Sequence, residues 1–114
     1  MNIKMRLHEM PFNMIKNGDK KIEYRLNDEK RQQLKVGDTI TFFKRPLEEE
    51  TLEVKIVDLK YYDNLLDMYK ASFKEELSRL YDSPEEAVED TEYYTDEEIK
   101  KYGCLAIHIE IIDE

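Results

Sequence analysis

Five segments of the chain have the apolar and polar pattern of β-strands. In the first, Asn2 to Leu7, apolar Ile3, Met5 and Leu7 alternate with polar residues, which predicts a strand with one solvated face. Four more strands are predicted at Lys21 to Leu26, Thr39 to Lys44, Thr51 to about Leu59, and Cys104 to Ile112. The last strand is expected to bury one face, formed by Leu105, Ile107, Ile109 and Ile111.

Caps and apolar spacing predict helices between these strands. Pro11 suits a first helical turn and Gly18 a left-handed cap, so a short helix is expected between the first two strands. From Asp63 onward the apolar residues recur at helical spacing, at Leu65, Leu66, Tyr69, Phe73, Leu77 and Leu80. Ser83 and Thr95 are each followed three residues later by glutamate, which predicts the starts of two further helices.

Short connections complete the predicted order of elements. Asn27 is expected to cap a helical turn that extends to Leu34, and Gly37 with Asp38 to form a turn that leads into the third strand. The loop from Leu47 to Glu50 is expected to stay outside the core because it contains three consecutive glutamates.

The order of elements predicts one α+β domain that spans residues 1–114. Five short strands come from both ends of the chain, and the helices are too few to cover both faces of a parallel sheet. A small, closed or half-closed β-barrel of about five strands with peripheral helices is therefore favoured. A three-layer sandwich is the alternative.

The charge of the chain is divided along its length. Residues 1–47 contain eleven Lys and Arg against six Asp and Glu, a net charge of +5, whereas residues 48–114 carry −14. The overall charge of −9 argues against long duplex DNA as a partner. It leaves two possibilities open: a local basic surface for a small anionic ligand, or basic residues that the fold scatters in solvent.

Several classes of protein are excluded or disfavoured by what the sequence contains. No segment resembles a signal peptide or a membrane span, so a cytoplasmic protein without a membrane partner is expected. Cys104 begins an apolar run, which favours a buried thiol over a nucleophile. His8 and His108 each stand alone, so neither a metal site nor any other cofactor is expected. The three glycines are far apart, which excludes a phosphate-binding P-loop.

The segment from Gly18 to Arg25 places three charged side chains close together. On a strand, Glu23 and Arg25 point to the same side about 7 Å apart, and Lys20 in the preceding turn can reach towards them. An ammonium, a carboxylate and a guanidinium together suit a nucleotide-like ligand. The alternative is a solvated ladder of opposite charges on the surface.

The residues Gly18, Lys20, Glu23 and Arg25 spell GxKxxExR, which resembles the signature of the ASCH superfamily, and especially its small bacterial members. The turn at Gly37 and Asp38 and the closing segment YTDEEIKKYGCLAIHIEII are also similar to that family. The resemblance implies a PUA-like β-barrel with a cleft along the motif strand. It further implies that the cleft binds RNA or a modified nucleoside through Lys20, Glu23 and Arg25.

The basic residues Lys4, Arg6, Lys44 and Arg45 are candidates to extend the rim of this cleft, and Lys21 is a further candidate for ligand binding. Some members of the superfamily are amidohydrolases of acetylcytidine, in which the lysine acts as base towards a threonine three residues later. Glu23 occupies the threonine position here, so an enzyme of this kind would use Lys20 as base and Glu23 to activate water. The acidic partner of those members would fall among Lys74, Glu75 and Glu76. A third hypothesis is a protein-interaction domain that uses the acidic helices.

Aromatic residues are expected mainly in the core, with few left to stack on a base. Phe42 and Phe43 are adjacent on one strand and must point to opposite sides, and the same alternation is expected for Tyr61 and Tyr62. Tyr24 lies between Glu23 and Arg25, so it is expected to face away from them into the core.

Overall fold

The structure is a computed structural model that describes residues 1–91 and 93–112, so positions 92, 113 and 114 of the predicted single domain lie outside it. Contacts between residues divide the chain into two compact units. The first unit contains Met1–Glu23, Leu34–Leu59 and the chain from Ile107 onward. The second contains Tyr24–Gln33 and Lys60–Ala106.

The described residues form five strands and four α-helices, which confirms the predicted α+β class. The strands are β1 (Asn2–Leu7), β2 (Ile22–Leu26), β3 (Thr39–Lys44), β4 (Thr51–Tyr62) and β5 (Cys104–Ile111). The helices are α1 (Glu9–Lys16), α2 (Leu65–Ser72), α3 (Pro84–Glu89) and α4 (Asp96–Tyr102), with a 3₁₀ turn at Arg31–Gln33 and a π-helical turn at Phe73–Leu77. All five strands join one sheet in the order β1-β3-β4-β5-β2.

In the first unit, β1 lies parallel to β3, in a register that pairs Met5 with Phe42. Strand β3 runs antiparallel to β4, as a hairpin requires. Most inward positions of these strands are buried, as the period of two predicts, although Ile3 and Leu52 are half-buried. Buried apolar residues of this unit include Met5, Leu7, Phe12, Ile15, Ile40, Phe42, Val54, Ile56 and Ile107. Phe43 is only half-buried, so one member of the Phe42 and Phe43 pair faces inward, as predicted.

The long helix predicted after Asp63 is shorter than expected. Helix α2 is capped by Asn64, whose side chain accepts a hydrogen bond from the Asp67 N–H at 2.8 Å. The α-helix ends at Ser72 and is followed by the π-helical turn, after which Leu80 is left 43% exposed. A π-turn inserts one residue into the helical repeat, so the 3.6-residue spacing in which Leu80 continued the apolar series no longer holds beyond it.

Helices α3 and α4 begin at the predicted caps. Ser83 Oγ accepts from the Glu86 N–H at 3.2 Å. Thr95 forms a complete capping box with Glu98, in which each side chain accepts from the backbone N–H of the other residue. Helix α4 ends at Gly103, which has a φ of +72°.

Two predicted details are wrong. The 3₁₀ turn is capped by Asp28 and not by Asn27, because Asp28 Oδ1 accepts from the Arg31 N–H at 3.1 Å. Ile111 is 36% exposed although its predicted companions Leu105, Ile107 and Ile109 are buried, because β5 ends there and the end of a strand is covered on fewer sides. Within the described ranges, no helix is both long and apolar enough to cross a membrane.

Candidate functional site

The motif begins in the tight turn after α1. Gly18 has a φ of +83°, a left-handed conformation that glycine adopts without steric strain. The next two residues fold back under the helix, since the N–H groups of Asp19 and Lys20 both donate to the Met14 carbonyl, at 2.9 and 3.0 Å. This backbone arrangement fixes where the Lys20 side chain starts.

Lys20 and Glu23 form an ion pair in the first unit. Lys20 Nζ lies 3.5 Å from Glu23 Oε1, and the two side chains are only 14% and 7% exposed. Lys20 Nζ also donates a short hydrogen bond to the Ile22 carbonyl. The two side chains thus meet, as the spacing predicted. The Glu23 carboxylate is also much more buried than it would be in a solvated ladder of charges on the surface.

The burial along β2 differs from the predicted alternation. Ile22, Glu23 and Leu26 are buried, whereas Tyr24 is half-buried. Glu23 tolerates burial because an ammonium lies beside it. Tyr24 is held in the second unit by its polar end, through a 2.7 Å hydrogen bond between its hydroxyl and Ser72 Oγ, and its ring meets Tyr69 edge-on at 5.2 Å.

Arg25 and Lys21, the two other ligand-binding candidates in this segment, differ in exposure. Arg25 is half-buried and lies on β2 two residues after Glu23, within the second unit. The Lys21 side chain is exposed, while its carbonyl accepts from the Ile109 N–H at 3.0 Å and so helps to pair β2 with β5. The structure therefore brings Lys20 and Glu23 into contact and leaves the Lys21 side chain at the surface.

Two of the basic rim candidates, Arg6 and Lys44, are paired with the acidic loop that follows β3. Arg6 Nε lies 2.6 Å from Glu48 Oε1, although the Arg6 side chain is 67% exposed. Lys44 Nζ lies 3.4 Å from Glu50 Oε1 and 5.7 Å from the centre of the Phe12 ring. The three consecutive glutamates predicted a loop outside the core, but local sequence did not indicate that they would lie close to the basic strand ends.

Glu50 also binds Lys16, which is not among the predicted site residues. Lys16 Nζ lies 2.6 Å from Glu50 Oε2. Chiefly because of this hydrogen bond, with a smaller contribution from Lys44, the pKa of Glu50 is lowered from its ordinary value. Two lysines that are 28 residues apart in sequence thus share one carboxylate, a contact that only the fold creates.

Gly37 and Asp38 form the predicted turn before β3. Gly37 has a φ of +97°, and its N–H donates to the Ile56 carbonyl at 2.9 Å. Asp38 accepts from the Lys35 N–H at 2.9 Å and from the N-terminal ammonium at 3.0 Å. The bond from the ammonium is the largest cause of the lowered pKa of Asp38. These hydrogen bonds hold the turn in place before β3.

The other candidates for chemistry lie apart from one another or are buried. Among residues 1–91 and 93–112, no three His, Cys, Asp or Glu side chains are grouped to hold a metal ion. Cys104 is buried, as predicted, and burial raises the pKa of its thiol to about 11, which disfavours the nucleophilic thiolate. Lys74, Glu75 and Glu76 lie in the π-helical turn of the second unit.

Comparison with curated proteins gave no significant match. The crystal structure of the hypothetical protein PH0355 is similar at 39% sequence identity and a TM-score of 0.85, over 98% of this chain and 100% of that one. The solution NMR structure of protein PF0455 from Pyrococcus furiosus is similar at 36% identity and a TM-score of 0.73, over the full length of both chains.

A more distant structure shows the same fold. The crystal structure of a mutant of ZmASCH, from Zymomonas mobilis, has a TM-score of 0.59 at 10% identity, over 96% of this chain and 72% of that one. This likeness confirms the predicted PUA-like fold. The sequence profile of the ASCH domain matches residues 5–113. The chain therefore belongs to the ASCH domain family.

Proposed function

We propose that this ASCH domain binds single-stranded RNA or a modified nucleoside through Lys20, Glu23 and Arg25. Two observations support the proposal. The chain belongs to a family whose resemblance implied RNA as the ligand. Its motif lysine and glutamate also form a largely buried pair and are not dispersed in solvent.

The Lys20 and Glu23 pair is the observation that carries the proposal. In a partly desolvated site an ammonium and a carboxylate each make stronger hydrogen bonds than they do in water. The ammonium suits a phosphate or a base carbonyl, and the carboxylate suits an exocyclic amine. Arg25 adds a planar fork that matches phosphate or a base edge.

The charge distribution limits the size of the ligand. A net charge of −9 opposes a long polyanion, and residues 48–114 carry the acidic excess. A single nucleotide, a strand end or a loop avoids most of this repulsion. A long duplex does not, so weak binding to duplex DNA is part of the proposal.

The test is a fluorescence or calorimetric titration with short single-stranded RNAs and a panel of modified nucleosides. Lys20→Met and Arg25→Ala are each expected to weaken binding by about tenfold or more, since contacts of a charged group with its ligand are worth about 1.5–3 kcal/mol. Lys55→Met serves as the matched control, because Lys55 is an exposed lysine of β4 outside the motif. Circular dichroism establishes that each variant is folded.

Two outcomes would contradict the proposal. One is the absence of saturable binding below about 1 mM for every ligand in the panel. The other is affinity that is unchanged in folded Lys20→Met and Arg25→Ala. Release of acetate from acetylcytidine, followed by chromatography, would instead show an amidohydrolase, provided that the release is lost in both Lys20→Met and Glu23→Gln.

A further inference from the structure

The second unit contains a pocket that shares no residue with the motif. We name it the tyrosine pocket; its principal lining residues are Tyr61, Tyr62, Asp63, Lys100, Lys101 and Tyr102. Its volume is about 680 Å³, which lies within the range of small-molecule sites. The pocket is formed where β4 ends, α4 ends and β5 begins.

Three tyrosines line the pocket. Tyr61 is 59% exposed, an unusual degree for a large aromatic side chain, and Tyr62 and Tyr102 are half-buried. The expected alternation along β4 would separate Tyr61 from Tyr62, yet both line the pocket because the strand ends at Tyr62. Exposed tyrosines at the edge of a pocket provide faces on which a base can stack.

Charged side chains of both signs lie beside these rings. Lys100 and Lys101 come from the last turn of α4, and Lys101 Nζ lies 5.0 Å from the centre of the Tyr102 ring. Asp63, which follows directly after the last residue of β4, also lines the pocket. Within the described part of the chain, neither Lys100 nor Asp63 forms an ion pair or a side-chain hydrogen bond. Neither side chain therefore stabilises the fold through such an interaction.

Asn27 adds an unusual feature to the pocket wall. Both backbone polar groups of Asn27 form hydrogen bonds: the N–H donates to the Gly103 carbonyl at 3.0 Å, and the carbonyl accepts from Gln32 Nε2 at 2.9 Å. Its side-chain Oδ1 is buried and has no hydrogen-bond partner among the described residues. Buried acceptors of this kind are rare in native proteins. A rotation of the amide towards the pocket would let a ligand donor satisfy it.

Gly103 permits the close approach of the two chain segments at this place. A Cβ atom on Gly103 would lie 3.1 Å from the Tyr62 carbonyl oxygen, closer than ordinary van der Waals contact. Glycine at this position therefore allows the start of β5 to lie beside the end of β4, which brings Tyr62 and Tyr102 to one pocket.

From these contacts we propose that the tyrosine pocket binds a ribonucleoside phosphate. The base stacks on the tyrosine rings. Lys100 and Lys101 bind the phosphate, and Asp63 accepts hydrogen bonds from the ribose hydroxyls, a bond that carboxylates make in other nucleotide sites. The free nucleotide and the phosphorylated end of an RNA strand share this chemistry. The inference goes beyond the proposed function and does not depend on it, because no motif residue lines the pocket.

The test is a nuclear magnetic resonance titration of the whole chain with AMP, CMP, GMP and UMP, in which amide shifts report both affinity and location. Saturable shifts are expected at residues 61–67 and 100–104. Adenosine and inorganic phosphate, which each lack one half of the ligand, are expected to bind at least tenfold more weakly than AMP, and 2′-deoxy-AMP more weakly than AMP. A dinucleotide with and without a 5′-phosphate distinguishes a strand end from the free nucleotide.

Variants at exposed positions keep the fold and separate the contacts. Tyr61→Ala is expected to weaken AMP binding about tenfold, as stacking contributes in other sites. Lys100→Ala with Lys101→Ala is expected to weaken it by a similar factor and to reduce its salt dependence. Lys60→Ala with Lys70→Ala is the matched control, because it removes the same charge from exposed lysines of the second unit outside the pocket.

Three results would overturn the inference. The first is no saturation by any of the four nucleotides below about 1 mM. The second is an equal loss of affinity in the Lys60 and Lys70 control, which would show only a diffuse effect of charge. The third is a set of shifts confined to residues 18–25, which would place the nucleotide at the motif and leave the pocket without a ligand. Unchanged AMP binding in Lys20→Met, by contrast, would support a nucleotide site separate from the motif.

Discussion

The ammonium of Lys20 lies 3.5 Å from the carboxylate of Glu23, and both side chains are mostly buried. A pair in this state can stabilise the fold, bind a ligand, or do both. Its desolvation is costly, so neither charge is expected to remain stable there without the other. Stability measurements on single and double variants therefore separate its structural part from its part in binding.

We expect Lys20→Met to lower the free energy of unfolding by about 3 kcal/mol, at the lower end of the range for a broken buried pair because Lys20 keeps some exposure. Glu23→Gln should lower the free energy of unfolding somewhat less, because the Lys20 ammonium that loses its carboxylate is the more exposed of the two groups and keeps its hydrogen bond to the Ile22 carbonyl. The double variant should be more stable than the sum of the two losses predicts. Urea denaturation of the four proteins gives the coupling energy, and strictly additive losses would show that the two charges do not interact.

Two glycines offer a matched comparison of backbone strain. Gly18 has a φ of +83° with open space around it. Gly18→Ala should therefore lower the free energy of unfolding only by the penalty for a left-handed alanine, about 1 kcal/mol. Gly103 combines a φ of +72° and a ψ of −175° with the close Tyr62 oxygen, so Gly103→Ala should cost about 2–3 kcal/mol. Denaturant midpoints measured side by side test the order, and equal losses would contradict the crowding at Gly103.

The buried thiol predicts how stability changes in alkaline solution. Burial raises the pKa of Cys104 from its ordinary 9.0 to about 11. The unfolded chain therefore releases this proton at lower pH than the folded chain does. The contribution of Cys104 to stability is complete below about pH 9 and is lost as the pH rises towards about 11. Urea midpoints measured from pH 7 to 11 should fall over this interval.

Cys104→Ala is the control for this pH effect. In that variant the decrease between about pH 9 and 11 should become shallower. Some decrease should remain, because burial also raises the pKa of Tyr81, to about 12, with help from its hydrogen bond to Asp90. The same variant removes the reaction with a thiol reagent, which in the native wild-type chain should be slow at pH 7. An unchanged slope in Cys104→Ala would refute the assignment.

The acidic loop from Leu47 to Glu50 should lower the affinity for single-stranded RNA if Arg6 and Lys44 belong to the basic rim of the cleft. Glu48 and Glu50 each hold one of these cations, at 2.6 and 3.4 Å. Glu48→Gln with Glu50→Gln should remove these two ion pairs and raise affinity for single-stranded RNA by about threefold or more, with a steeper salt dependence. Glu89→Gln with Glu110→Gln makes the same change in net charge at exposed sites elsewhere. An equal gain in that control would show that only net charge matters.

Local sequence was sufficient to predict most elements of the fold. Caps such as Ser83 and Thr95 act within four residues, and alternation along Asn2–Leu7 reflects one strand's two faces, so both can be recognised without knowing the rest of the chain. The π-helical turn after Ser72 was not predictable in this way. It changes the helical repeat without a glycine or proline to mark it.

Part of the candidate site was also predictable from local sequence. Lys20 and Glu23 are three residues apart in one turn and strand, so their meeting follows from local geometry. The depth at which Glu23 is buried did not follow, since the period of two placed it on the outer face of β2. Burial depends on which other strands and helices cover a face, and this is not encoded in the spacing of a single strand.

The sequence by itself determined the α+β class, the glycine-ended turn and the charged motif, because each depends on interactions over a few residues. The tertiary structure alone decided the sharing of Glu50 by Lys16 and Lys44, and the meeting of Tyr61 with Tyr102 at one pocket. These contacts join residues that lie 6 to 41 positions apart along the chain. Long-range contacts depend on how the chain closes its loops and buries its apolar faces, and many different closures are compatible with the same local pattern.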